Sequence, residues 1–486
     1  MKKIISLLLV LLIACSAFVS CGEDKVTDTG TGEATGVVEE GVKLTGDFGG
    51  EEFRILSAGN SVPANDFDYD ETSVASLDVA QYKRVQKVEQ SFNIDITEDV
   101  VVSSSYAASG SPGHGFKTVN TQVASGTPNY DLCLIAGYDV TQLALIGYLY
   151  DLNSLPNLDL ANSWWDQNAI DSLSIKDIVF FTMGDITINH KNSACCFLFS
   201  KTIAEEYGIE DPYQIVRDGK WTIEKLTELS KMVSDDLNDD GLINEWDQFG
   251  IMVWNGSLLC MVHAAGSRCA TINDDGHLEL TLYNENTINA FNQFADLAFD
   301  DQHALYYHKV SGYPYNWWMN DQGLFFPCRV FKIPSYRERE ADFGILPFPK
   351  LSETQENHYT TFSPYDSQYI CVPVVNNDLS RVGLITDALG YYGEKDITPA
   401  LYDVTLKGQN SRDAESAEML DIIFENIVYD IGFLFRLGNF NEAFVQCLEN
   451  KNNAWSSVYE THAHQAQASI ETINKAYDAA AALWKK

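Results

Sequence analysis

Positive charge is scarce in this chain of 486 residues: 32 Lys and Arg stand against 69 Asp and Glu, a formal charge of −37. A body so acidic repels phosphate backbones, which excludes nucleic-acid binding. No apolar run reaches the roughly 20 residues that a membrane-spanning helix needs. The sequence has no lysine-bearing glycine loop, no G-x-S-x-G elbow and no H-E-x-x-H helix. Without a P-loop the chain cannot fuel a transport cycle, and the common hydrolase and metalloprotease signatures are missing with it. Its ten cysteines include no C-x-x-C pair. No repeat recurs at a solenoid period.

What is present begins with an address. Lys2 and Lys3 precede an apolar run from Ile4 to Ala14, broken only by Ser6. That is the shape of a secretory signal and too short to span a bilayer. Two small-residue boxes follow, ending at Cys15 and at Cys21, each resembling the site where a bacterial lipoprotein is cleaved and acylated. Cys21 is the expected lipidation site, which leaves a mature chain of 30 − 69 = −39. Residues 22–50 hold eight Gly, five Thr and seven acids against one aromatic, Phe48, and so predict a flexible tether over 21–50. The eight cysteines beyond Cys21 sit mostly in apolar runs such as Leu132-Cys133-Leu134 and are expected as small buried hydrophobes without disulfides.

The folded body opens with a β-like Glu52–Leu56 segment. A helix follows with Ala75, Val79, Tyr82, Val85, Val88 and Phe92 on one stripe, then the alternating Ile94-Asp95-Ile96. This is a βαβ unit, and it implies a parallel sheet. Tyr130–Ala136 is nearly all apolar, as a strand covered on both faces must be. Ile178–Met183 and Phe249–Val253 are expected as further strands, and Thr222–Val233 as a helix capped by Thr222. Ala417–Val428 and Thr461–Trp484 carry helical spacing, so the C-terminal region is helical.

Several phrases in order along the chain carry a resemblance. They are Tyr130-Asp131-Leu132, Gly147-Tyr148-Leu149-Tyr150-Asp151-Leu152, Trp164-Trp165-Asp166, Asp218-Gly219-Lys220-Trp221-Thr222, Phe343-Gly344-Ile345-Leu346-Pro347-Phe348-Pro349 and Ser416-Ala417-Glu418-Met419-Leu420. Together they resemble the extracellular solute-binding lipoproteins of bacterial ABC importers, of the sugar and oligosaccharide type. The resemblance implies an α/β, two-lobe periplasmic-binding-protein-like (Venus flytrap) fold, with Phe343–Pro349 as a hinge crossing. The expected divisions are a leader over 1–20, the tether over 21–50, a first lobe over 51–160 with a return over 346–410, a second lobe over 161–345, and C-terminal helices over 411–486 mainly on the second lobe.

The sharpest local motif runs from Asp236 to Asp247. It offers side-chain oxygens at Asp236, Asn238 and Asp240, a glycine at 241, a backbone carbonyl at Leu242, and further oxygens at Asn244 and Asp247. That pattern suits a calcium loop, because calcium takes six to eight hard oxygens and the glycine allows the sharp turn. A structural Ca2+ is therefore expected, in half an EF-hand, since no exiting helix is predicted.

The second signal is an excess of aromatic residues at the ends of predicted elements. Tyr138 with Asp139, Trp164 with Trp165, Trp254 with Asn255, Trp317 with Trp318, and Tyr365 with Asp366 each join rings to one another or to a polar neighbour. Sugars have apolar faces and polar rims, which such pairs match. These ten are the candidate ligand-binding residues, and Tyr138 follows an apolar strand, where α/β proteins place ligands. The Ser- and Gly-rich segment 103–115 lacks a P-loop lysine and is expected as a cleft-side loop. His462 and His464, two apart on a helix, point to different faces and are expected in solvent.

The expectation is a lipid-anchored receptor on the outer face of the cell membrane, not an enzyme. It would be a monomer that holds an oligosaccharide between its lobes and delivers it to an ABC permease with its ATPase. Two other classes stay open. A surface glycan-processing enzyme needs only two well-placed carboxylates, and a peptide or other small-solute receptor would share the fold.

Overall fold

The computed structural model describes residues 38–39, 42–60, 66–67, 72–103, 111–309, 314–336, 338–406 and 414–484. The leader, Cys21, most of the tether and residues 104–110 of the Ser- and Gly-rich loop lie outside these. Among the described residues no helix is long and apolar enough to cross a membrane.

The first sheet grows from the predicted βαβ unit. Strands Glu51–Gly59 and Ile94–Val102 pair in parallel, joined by helix Ser76–Phe92. Asn93 ends that helix in the left-handed region at φ 50°, so the chain reverses directly into Ile94. Leu132–Ala136 pairs in parallel on the other side of Glu51–Gly59, and Gln368–Cys371 closes the sheet antiparallel to Leu132–Ala136. All five residues of Leu132–Ala136 are buried, as its unbroken apolar run requires.

The second sheet is assembled entirely between those two passages. Its order is Ala304–Tyr306, Gln248–Val253, Gly323–Arg329, Cys195–Ser200, Phe343–Leu346, with Ser234–Asp235 alongside Gln248–Val253. The chain thus leaves one sheet, builds another and comes back. The protein is α/β and two-lobed, with a helical C-terminal region. The returning segment also meets the C-terminal region in a short parallel pair, Thr360–Thr361 against Ile427–Val428.

Several expectations are corrected. The tether ends before residue 50: Leu44 is buried, and the Gly46, Phe48 and Gly50 amides donate to Ser91, Phe92 and Asn93 at 3.0, 2.9 and 2.7 Å. Leu44 and Phe48, the latter against Phe92 at 6.4 Å, give this stretch something to bury. Ile178–Met183 is buried but forms only single bridges, Ile175 to Ile178 and Thr182 to Ile370. Phe343–Leu346 is no hinge. It is the edge strand of the second sheet, paired with Cys195–Ser200, and the crossing comes after it.

The predicted helix over 417–428 is Ala414–Glu425, and its last two residues are strand. Helix Trp455–Trp484 reaches both lobes, since Asn474 bonds Leu278 while Trp484 lies 5.3 Å from Tyr150. His462 is half-buried and its Nδ1 lies 2.6 Å from the Gly438 carbonyl. The eight described cysteines are all buried and free of disulfides.

Candidate functional site

Both sheets aim their strand ends at one cavity of about 440 Å³. From the first lobe, Leu132–Ala136 runs into Gly137 and Tyr138 at the start of helix Gly137–Leu145. A Cβ at Gly137 would stand 2.7 Å from the Pro364 carbonyl oxygen, so glycine lets the returning segment close against this strand end. That segment supplies Tyr365. From the second lobe, Gln248–Val253 leads to Trp254, Asn255 and Gly256, and Gly323–Arg329 ends on Arg329. Tyr307 and His308 follow Ala304–Tyr306. Helix Phe440–Asn450 adds Asn441, Glu442, Val445, Gln446 and Glu449. Carboxyl ends of strands are where open α/β sheets place ligands.

The electrostatics centre on Arg329. Its guanidinium stacks 4.4 Å over the Trp254 ring and its Nε lies 2.5 Å from Asp366 Oδ2. Burial works against its charge, but the Asp366 carboxylate prevails and holds it above the usual arginine range. Asp366 is itself held by the Ser363 hydroxyl at 2.9 Å, and its backbone carbonyl accepts from the Ser193 hydroxyl at 2.9 Å. Burial, helped by Glu442, pushes the Tyr138 phenol up; burial also pushes the His308 imidazole down, against Glu449. The Tyr306 hydroxyl donates to Asn255 Oδ1 and so fixes that amide.

Beneath the cavity lies a fully buried relay. Thr361, on the lining, places its Oγ1 3.0 Å from His263 Nδ1, and His263 Nε2 is 2.9 Å from Asp430 Oδ2. Asp430 also accepts from the Cys269, Gly432 and Phe433 amides at 2.6, 2.8 and 3.1 Å. His263 therefore ties Thr360–Thr361 to the segment that follows Ile427–Val428. Burial lowers the His263 pKa, whereas Asp430 is held low by that histidine in spite of its burial. His263, Cys269 and Asp430 are close enough to share a metal ion. Both imidazole nitrogens and both carboxylate oxygens are already engaged, however, so the donor set fits a hydrogen-bond network instead.

Of the ten candidates, Tyr138, Trp254, Asn255 and Tyr365 are brought together on the cavity, and Asp366 stands behind Arg329. The other five lie elsewhere. Asp139 is buried and accepts from the Ser103 hydroxyl and the Gly113 amide, serving the start of helix His114–Ser125. Trp164 and Trp165 are core residues whose indole N–H groups both donate to Asp387 Oδ1 at 2.9 Å. Trp317 and Trp318 are buried in the second lobe, Trp318 stacked 5.2 Å from Phe326 and under the Arg339 guanidinium at 4.2 Å. Doubled tryptophans here fill large cores.

Missed by sequence were Arg329, Tyr307, His308, Phe433, Glu442 and Glu449. Helix Phe440–Asn450 did carry a signal, a polar stripe opposite buried Phe440, Ala443, Phe444, Cys447 and Leu448. A solvated face has the same pattern.

The Asp236–Asp247 loop is curled. Gly241 turns at φ +82°, and its amide donates to Asp236 Oδ2 at 2.7 Å. The Asp240 and Leu242 amides donate to Asn238 Oδ1 and Asp240 Oδ1, each at 2.9 Å. Asn244 Oδ1 accepts from the Trp246 amide at 3.2 Å. Buried Asp247 closes the loop on the Leu237 and Asn244 amides at 3.0 and 2.8 Å. Strand Gln248–Val253 follows directly, so the loop has no exiting helix.

No protein-family model and no curated protein sequence matches this chain. Solved structures do. An ABC substrate-binding protein of Listeria monocytogenes in complex with cycloalternan is 15% identical, with TM-score 0.53, over 88% of this chain and 99% of that one. A Rhizobium etli sugar transporter in an open conformation is 11% identical, with TM-score 0.55, over 86% and 99%. UspC of M. tuberculosis is 13% identical, with TM-score 0.55, over 86% and 100%. The fold is that of the ABC solute-binding proteins. In this fold the cavity described above takes walls from both lobes and from the C-terminal helices.

Proposed function

We propose that the protein is the extracytoplasmic receptor of an ABC importer and binds an oligosaccharide between its lobes. One observation carries the reading. Tyr138 and Tyr365 from the first lobe face Trp254, Asn255 and Tyr307 from the second across a single cavity. Flat rings with amides beside them suit the apolar faces and hydroxyl rims of sugars. A ligand touching both walls favours the closed arrangement over the open one, and that difference in affinity drives closure. Inverting a 1:99 open-favouring equilibrium takes roughly 5.5 kcal/mol of differential affinity. Only contacts made on both lobes together are of that order.

The similar structures include a receptor bound to cycloalternan, which supports a glycan over a peptide. The chain acts without chemistry of its own and hands its cargo intact to a permease and its ATPase. It works as a monomer, anchored by a lipid on Cys21. The loop from Asp236 to Asp247 holds a structural Ca2+ through Asp236, Asn238, Asp240, the Leu242 carbonyl, Asn244 and Asp247. The curled loop and its glycine turn support that assignment.

The test is a glycan-library screen followed by recovery of the ligand. A receptor gives saturable binding and returns the glycan unchanged. Cleaved product would replace this reading with that of a surface enzyme, and binding to peptides alone would reassign the ligand.

A further inference from the structure

The cavity presents negative charge on the wall built by helix Phe440–Asn450. Glu442 and Glu449 reach it from that helix, seven residues and so roughly 10 Å apart along the axis, with Val445 between them. Their influence extends to both lobes: Glu442 acts on Tyr138 of the first, and Glu449 on Tyr306 and His308 of the second. A bound molecule spanning the cleft passes both carboxylates.

Positive charge on the lining is already committed. Among the described lining residues the basic side chains are Arg329 and His308. Arg329 is engaged by Asp366 at 2.5 Å and by the Trp254 face at 4.4 Å. Burial works against the charged form of His308, although Glu449 favours it. Arg436 lies 3.9 Å from Glu442 and tempers it; its guanidinium is 5.8 Å from the Tyr138 ring centroid, and it is not one of the lining residues.

We infer that the cleft excludes anionic glycans and takes uncharged or amino-bearing sugars, with Glu442 and Glu449 as the residues that impose the choice. The inference rests on the glycan reading above and sharpens it. A uronate or sulfate ester in this cavity meets like charge with no uncommitted guanidinium to answer it, which costs affinity. Sugar hydroxyls instead donate to the same carboxylates in charge-assisted hydrogen bonds.

The test is calorimetric titration with a library of neutral oligosaccharides, each paired with its uronate or sulfated counterpart, on the wild type and on E442Q/E449Q. The wild type is expected to bind a neutral member and to bind its anionic counterpart roughly tenfold or more weakly. The double variant should narrow that gap about tenfold. In the wild type the gap should also shrink as salt rises, because screening shortens the reach of both carboxylates to about 8–10 Å or less. That salt series decides the matter if the variant fails to fold. Equal or tighter binding of the anionic member, or a gap that neither salt nor the variant moves, overturns the charge selection and leaves the receptor reading standing. Binding to no glycan of either kind overturns the glycan reading and this inference together.

Discussion

Arg329 lies flat over Trp254, its guanidinium 4.4 Å from the ring centroid, while Asp366 from the returning segment holds the same group at 2.5 Å. One contact belongs to the second lobe and the other comes from the segment that leads into the first sheet. The pair thus orients the ring that a sugar would stack on and joins the two walls behind it.

Trp254→Ala is expected to weaken glycan binding roughly tenfold or more, as loss of a central aromatic anchor does. Asp366→Ala should instead act on stability. It strands the guanidinium, whose side chain keeps 27% exposure, so the cost falls somewhat below that of a fully buried pair, at roughly 2–3 kcal/mol. Titration calorimetry and denaturant melts separate the two effects. A Trp254→Ala protein that binds as the wild type does would remove the ring from the site.

Asp387 carries a pH dependence of definite sign. Burial raises its pKa to about 6, although both indoles of Trp164 and Trp165 donate to it. The folded state therefore favours the protonated acid. Its contribution to stability is complete below about pH 3.8 and is lost as the pH rises toward 6, by roughly 2–3 kcal/mol. Asp387→Asn keeps an acceptor for both indoles and carries no charge. Melting temperatures of the two proteins, compared from pH 4 to pH 7, should show the wild type losing ground up to about pH 6 and none beyond. Parallel curves would contradict the assignment.

His263 joins two chain passages, so its removal should loosen both. His263→Ala leaves Asp430 and the Thr361 hydroxyl buried without their partner, an expected loss of roughly 3 kcal/mol. Hydrogen exchange should rise together at Thr360–Thr361 and Ile427–Val428, which pair with each other. Faster exchange confined to helix Ser257–Ala264 would mean that the relay holds only its own helix.

Calcium has its own readout. At a thousandfold excess over Kd a bound ion stabilises by about 4 kcal/mol. Chelator should lower the melting temperature of the wild type, and Asp240→Ala should start lower and ignore the chelator. Identical melts with and without chelator would reduce the loop to a hydrogen-bonded turn.

Much of the architecture was legible in the sequence because its signals are local. The stripe on Ser76–Phe92, the alternating Ile94-Asp95-Ile96 and the apolar run Leu132–Ala136 each declare one element. Other features depend on distant partners. Ile178–Met183 looks like a strand but finds no neighbour beyond single bridges, and Phe343–Leu346 finds Cys195–Ser200 instead of acting as a hinge. The cavity was half legible for the same reason. Tyr138, Trp254, Asn255 and Tyr365 flank strands whose ends point inward, a rule that follows from chain order. Trp164, Trp165, Trp317 and Trp318 satisfy the same compositional test but are buried in the cores, where Trp164 and Trp165 meet Asp387, Trp164 meets Tyr391, and Trp318 meets Phe326 and Arg339. Arg329 was invisible because its meaning lies in Asp366 and Trp254, neither near it in sequence.

Small-angle scattering of the protein alone and with a glycan titrated to saturation tests the receptor account most directly. Lobes that close on a shared ligand give a smaller radius of gyration in the complex. An unchanged radius at verified saturation would contradict it.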